Sequence, residues 1–280
     1  MAIDKPLPLM VGDKAYYSLT SYGPVEITVD VPHATDEDID LGLEMTVADL
    51  GGSPADLDDP AWVAEHFEGL GTREQVRESV RQQVLAMNER IAEDQKLGKC
   101  VEALAARLGQ SVPPRHLEEA RQVIRMRFTQ QLQADGITLD QFLASTGTTT
   151  AQLEELFDQQ ARQMAEGDAA LSAYAHERQL KVDEHEIGRL LGLPSTEARA
   201  VIEQARAAGR YDELQEAALR SKAAQIAAAE CSCTYHHETP EQARRRVAQY
   251  RQLRREFDRQ LGDDGQRHEP GEDEAGFKLV

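Results

Sequence analysis

The chain is predicted to be mainly α, an extended multi-helix body with helical-hairpin arms and a small N-terminal β-hairpin. Three observations carry that expectation. Aromatic residues make up only 5% of the 280, and Ala, Gln, Glu, Arg and Leu dominate long stretches, a composition that suits extended helices better than a sandwich or a parallel-sheet enzyme. Apolar residues recur at helical spacing through the middle of the chain, behind residues that can cap a helix. The segments between those stripes are short, which forces neighbouring helices to run antiparallel.

The strands come first. Val25, Ile27, Val29 and Val31 alternate with Glu26, Thr28 and Asp30, the period-two pattern of a strand with one buried face. Lys14–Leu19 reads as a second strand, with Ser21–Pro24 as the turn of a hairpin between them. A lone hairpin is marginal in water, so it needs helices or another strand beside it. Ser232–His236 is one candidate partner. Thr35, followed by Asp36, Glu37 and Asp38, opens a helix toward Leu50: a capping side chain, then acids at the positive end of the macrodipole. Gly51–Pro54 ends it, and a short helix follows near Pro60–Phe67.

Thr72 and Gln75 have the spacing of a capping box. From there Val76, Val80, Val84, Met87, Ile91, Leu104 and Leu108 keep one stripe, giving a helix about 50 Å long at the α-helical rise. Helices are then expected from Pro114 to Asp135, Thr138 to Ser145 and Thr149 to Gln179, so residues 113–180 form a projecting helical hairpin. Asp183–Leu191, Ser195–Ala208 and Tyr211–Glu230 build a second arm, whose last helix is kept slim by Ala223, Ala224, Ala227, Ala228 and Ala229. Thr239, Pro240 and Gln242 open an Arg-rich helix over 239–261, and an acidic tail with the composition of disorder covers 262–280. The expected organisation is thus 1–55 as hairpin and helix packed on the body, 56–238 as the two-armed helical domain, then helix and tail.

A formal charge of −19, from 50 acidic and 31 basic side chains, repels polyanions beyond direct contact. Nucleic acid and anionic membrane are set aside as partners. No run approaches the ~20 apolar residues of a bilayer span, and the first residues lack a basic segment followed by an apolar one, so a cytoplasmic location is expected. Cys100, Cys231 and Cys233 are too few and too oddly numbered for a disulfide framework. The sequence has no Gly-rich phosphate loop, His-Glu-x-x-His pair or nucleophile elbow, so neither an enzyme nor a cofactor is expected.

Four stretches carry a family resemblance. Asp56–Val63 running into Gly71–Val76, Val112–Leu117, Gln130–Gly147 and Leu219–Ile226 resemble, in order and spacing, the C-terminal chaperone domain of the trigger factor family across roughly residues 56–235. Gln130–Gly147 is the most specific, with a helix, Gly136-Ile137, a short helix ending at Thr146-Gly147, and a further helix. The resemblance implies an ATP-independent holdase for unfolded or nascent polypeptide, and leaves room for a homodimer. The family's basic Gly-Phe-Arg-Lys docking signature is missing, and the first 70 residues carry two lysines, Lys5 and Lys14, and no arginine. Barely twenty residues separate the Thr35–Asp38 segment from Asp56, so ribosome docking and prolyl isomerisation are not expected. The alternative is an interaction or assembly protein on the same fold, with one dedicated folded partner.

A holdase needs exposed apolar patches broken by polar groups, and flexible Met tolerates varied ligand shapes. By apolarity and arm position the polypeptide-binding candidates are Met126, Phe128, Leu132, Phe142, Leu143, Leu156, Phe157, Met164 and Tyr174; each is equally suited to helix–helix core. Cys231, Cys233 and His236 are weak metal candidates, since in a strand the two thiols share a face but the adjacent His236 and His237 point opposite ways. The arginines of 239–261 either pair with the chain's own acids or meet a partner.

Overall fold

The computed structural model describes residues 5–12 and 14–263, with side chains through Leu253. The tail expected to be disordered therefore lies outside the described residues from 264 onward. Four strands are described: β1 Leu9–Val11, β2 Lys14–Tyr16, β3 Glu26–Val31 and β4 Ser232–His237. The helices are α1 Asp36–Asp49, α2 Pro60–His66, α3 Arg73–Ala106, α4 Pro114–Ala134, α5 Leu139–Thr146, α6 Thr150–Glu177, α7 Glu184–Leu190, α8 Ser195–Ala207, α9 Tyr211–Glu230 and α10 Pro240–Asp263, with a 3-10 turn at Asp56–Asp58.

The caps expected at Thr35 and Thr72 are present, and two further boxes accompany them. Thr35 with Asp38, Thr72 with Gln75, Thr138 with Gln141 and Thr149 with Gln152 each close a reciprocal box, opening α1, α3, α5 and α6. Each box satisfies backbone N–H groups that the helix cannot bond internally.

The hairpin differs from expectation. An antiparallel hairpin is present, but it joins β1 to β2, with Leu9 opposite Tyr16 and Val11 opposite Lys14. β3 pairs instead with β4, in parallel, from Glu26 opposite Ser232 to Val31 opposite His237. The stretch between β2 and β3 cannot turn back on itself because α3's far end holds it. Leu19 bridges Leu108, Gly109 N donates to Ser18 O (2.9 Å), and Thr20 N donates to Arg107 O (2.7 Å). The Arg107 guanidinium also donates to the carbonyls of Gly23 and Pro24 at 2.6 and 3.0 Å, keeping that segment open.

Three cores follow. The largest gathers Val25, Ile27 and Val29 of β3 and the residue before it, Cys100 and Leu104 of α3, Tyr174 and an alanine-rich face of α6, and Ala223, Ala224 and Ala227 of α9. Small side chains let these helices approach closely; a Cβ on Gly167 of α6 would lie 2.9 Å from Val101 of α3. A second core packs Ile39, Leu43 and Val47 of α1 on Val63 of α2 and Val76 and Val80 of α3. The third joins Ile187 and Leu190 of α7, Ile202 of α8 and Ala218 of α9.

α10 lies on α1, burying Ala243 and Val247. Arg244 pairs with Glu37 (3.2 Å), Arg246 with Asp38 (2.9 Å) and Arg251 with Glu44 (3.1 Å). Those three arginines are therefore engaged by the chain's own acids. No helix among the described residues is long and apolar enough to cross a membrane.

Candidate functional site: the first arm and the trough beside it

α4 and α6 pack side by side, with α5 at their far end. Arg121 of α4 reaches Glu154 and Asp158 of α6, both at 2.8 Å, and Arg125 also bonds Glu154. These guanidinium groups, Arg125 foremost, hold the Glu154 carboxyl below its ordinary value of 4.5. Next along the arm an aromatic cluster ties its three helices together. The Phe128 ring stands edge-to-face to Phe142 of α5 at 5.1 Å and to Phe157 of α6 at 5.3 Å, the separation and orientation that the ring quadrupoles favour.

The nine sequence candidates thus divide. Leu132, Phe157 and Tyr174 are buried, whereas Phe128, Phe142, Leu143 and Met164 are half-buried. Met126 and Leu156 are exposed, at 54% and 46%. Phe128, Phe142 and Phe157 are brought together as the arm's own core. Tyr174 stands apart at the arm's root, its hydroxyl bonded to Glu230 at 3.0 Å and its ring under the Arg178 guanidinium at 5.1 Å. Met164 lines the trough described below.

Other exposed apolar side chains escaped the sequence reading. Ile137 lies in the α4–α5 connection and Leu139 begins α5; their signal was apolar residues directly after the Gly136 turn, where polar ones are usual. Met87 and Ile91 continue α3's stripe beyond the reach of α1 and face solvent, and Leu9, Met10 and Val11 leave β1 exposed throughout.

Beside the first arm runs a trough walled by α6 and the first half of α9. It holds two cavities of about 480 and 800 Å³, with the larger also touching α4. Arg220 of α9 crosses to Asp168 of α6 at 3.3 Å. Burial pushes the Asp168 carboxyl up from its usual value, against the pull of Arg220. β2 enters the trough as well, and Lys14 is bonded to Glu216 of α9.

The weak metal candidates are placed differently. The Cys231 thiol donates to Ala228 O at 3.2 Å, Cys233 is half-buried on β4, and His236 Nδ1 lies 3.1 Å from an Asp30 oxygen. Among the described residues no group of three or more His, Cys, Asp or Glu side chains converges as metal ligands would.

Comparison with curated proteins finds no match. The family model of the bacterial trigger factor protein (TF) C-terminus matches residues 72–229, from the N-cap of α3 to the last turn of α9.

Proposed function

Since the chain belongs to the family of the bacterial trigger factor C-terminus, a chaperone module, we propose that it holds nonnative polypeptides without ATP or covalent chemistry. One observation carries this reading: the first arm satisfies its own core and still presents Met126, Ile137, Leu139 and Leu156 to water. Exposed apolar groups that a helix hairpin does not need for its own packing are what an unfolded chain would bind.

The Phe128–Phe142–Phe157 cluster stiffens the arm beneath those groups, so a client meets a shaped surface rather than a flexible one. Around them Arg121, Arg125, Glu154 and Asp158 keep the empty arm hydrated and separate the apolar spots. Clients are nascent or unfolded segments with apolar side chains. In this reading residues 56–238 are the holding body, and neither ribosome docking nor prolyl isomerisation takes part. Between α1 and α3 the chain has only the 3-10 turn and α2, which supports the second exclusion.

Fluorescence anisotropy of a labelled, permanently unfolded polypeptide tests the assignment. The variant Met126→Ser, Leu139→Ser, Leu156→Ser changes exposed positions only and should keep the wild-type circular dichroism while binding about tenfold more weakly, consistent with loss of roughly 1.4 kcal/mol of apolar contact. Unchanged affinity would remove the first arm as the holding surface. If the wild type binds no unfolded polypeptide but retains one folded partner, the dedicated-partner reading takes its place.

A further inference from the structure

The two cavities beside the first arm share one partition. The residues common to both linings are Lys14, Ala15 and Tyr17 from the N-terminal ribbon, and Ser172, Glu216 and Arg220 from the facing helices. β2 and the residue after it therefore divide what would otherwise be one continuous trough between α6 and α9. An extended stretch of the chain's own backbone lies where an extended stretch of another polypeptide would fit.

The ribbon is anchored at its flanks, where Ser111 N donates to Pro6 O and Gly109 N to Ser18 O, both at 2.9 Å, while β2 itself meets the trough through side chains. Lys14 is bonded to Glu216, Tyr16 meets His176 edge-on at 6.3 Å between ring centres, and the Tyr17 hydroxyl lies 3.3 Å from His116 Nδ1. Glu216 raises the affinity of the Lys14 ammonium for its proton, as expected of a formed pair. Its partner strand β1 contributes nothing to burial: Leu9 is 70% and Val11 59% exposed. Two-stranded ribbons have little stability of their own, and exposed ion pairs add little more. The contacts that seat β2 are thus the kind that a competing chain can replace.

We propose that β2 is a tethered stand-in for client: it occupies the α6–α9 trough at rest, and an extended polypeptide segment binds there by displacing it. The occupant that fits has the chemistry of the segment it replaces, a basic side chain for Glu216 followed by small and aromatic residues, as in Lys14-Ala15-Tyr16-Tyr17. The proposal rests on the holding function and adds to it a second surface, distinct from the apolar groups on the arm, and a built-in threshold. Because the trough is available only in the fraction of molecules whose ribbon has left, apparent affinity is reduced by that fraction. Releasing the ribbon should raise it.

The test uses the full chain and a fluorescein-labelled extended peptide carrying the Lys-Ala-Tyr-Tyr run. Lys14→Ala should tighten binding about two- to fivefold, the release that loss of one exposed ion pair allows. Arg199→Ala, which removes the same charge from α8, should match the wild type and so separates release of the ribbon from a general change in charge. In the wild type, peptide at saturation should speed hydrogen exchange of the amides at residues 14–17. Equal affinity in all three proteins, equal tightening in both variants, or unchanged exchange at 14–17 with peptide bound would each overturn the stand-in. If aggregation of a denatured protein is still suppressed in those cases, only the stand-in falls; absence of any binding or suppression would overturn the holding function too.

Discussion

Phe157 and Met126 show how differently two apolar residues of one arm behave. Phe157 is 5% exposed and Met126 54%, yet both are apolar residues of the arm's long helices. Truncating Phe157 removes the edge-to-face contact with Phe128 and leaves a cavity, so Phe157→Ala should cost about 3–5 kcal/mol in denaturant unfolding. Met126→Ser should stay within about 0.5 kcal/mol of the wild type. Similar losses for both would mean that Met126 is core. Cys100 gives a second residue-scale expectation. Burial, then its bond with Cys231, pushes the Cys100 thiol up to about 12, and a thiol without thiolate is a poor nucleophile. At mildly alkaline pH a thiol reagent should label half-buried Cys231 and Cys233 first and reach Cys100 only on unfolding; early labelling of Cys100 would contradict its placement. Apolarity and arm position, which made both of them candidates, could not separate Phe157 from Met126; helical spacing does, since Met126 lies two residues off the Ile124–Phe128–Leu132 row that turns inward.

At the scale of elements, helix starts were legible because capping is local. Thr35 with its following acids and Thr72 with Gln75 announce α1 and α3 within a single turn. Strand pairing is not local. The alternation from Val25 to Val31 identifies β3, but its partner β4 lies some two hundred residues on, and the same alternation fits an antiparallel neighbour as well. What decides is Arg107, whose bonds to the Gly23 and Pro24 carbonyls keep the intervening segment open, and no motif marks that. β1 was missed because Leu9, Met10 and Val11 do not alternate and none is buried. Close helix approach is a further element-level feature. A Cβ on Gly188 of α7 would sit 2.5 Å from the Ala198 Cβ of α8, so Gly188→Val should destabilise the second arm by about 1–3 kcal/mol through overpacking. Hydrogen exchange should show the loss over α7 and α8 while α4 and α6 stay protected; uniform loss would mean that the two arms unfold as one unit.

Across the whole molecule, carboxylates fasten one element to another. Asp30 is held low chiefly by His236, with Lys99, where β3, β4 and α3 meet; Glu154 is held low by Arg125 and Arg121 between α4 and α6. Glu186 is held low by the Asp183 backbone N–H and then by Lys222, between α7 and α9. In each case the folded form binds the proton less tightly than the unfolded chain, so the stabilisation is present above the ordinary values of 3.8 to 4.5 and fades as pH falls through the lowered ones. The melting temperature should therefore fall below that range, and Glu186→Gln should flatten part of the fall; an equal slope in the variant would exclude Glu186. The net charge of −19 acts at longer range. Basic unfolded peptides should bind more tightly than acidic ones at low salt, with the gap closing near 1 M salt, where the screening length falls to about 3 Å.

That the molecule holds nonnative chains is tested most directly by light scattering from a chemically denatured protein diluted into buffer containing this one. Suppression rising with its concentration, beyond that given by an inert acidic protein and weakened by Met126→Ser, Leu139→Ser, Leu156→Ser, is the expected result. Scattering equal to that of the inert control at every ratio would contradict it.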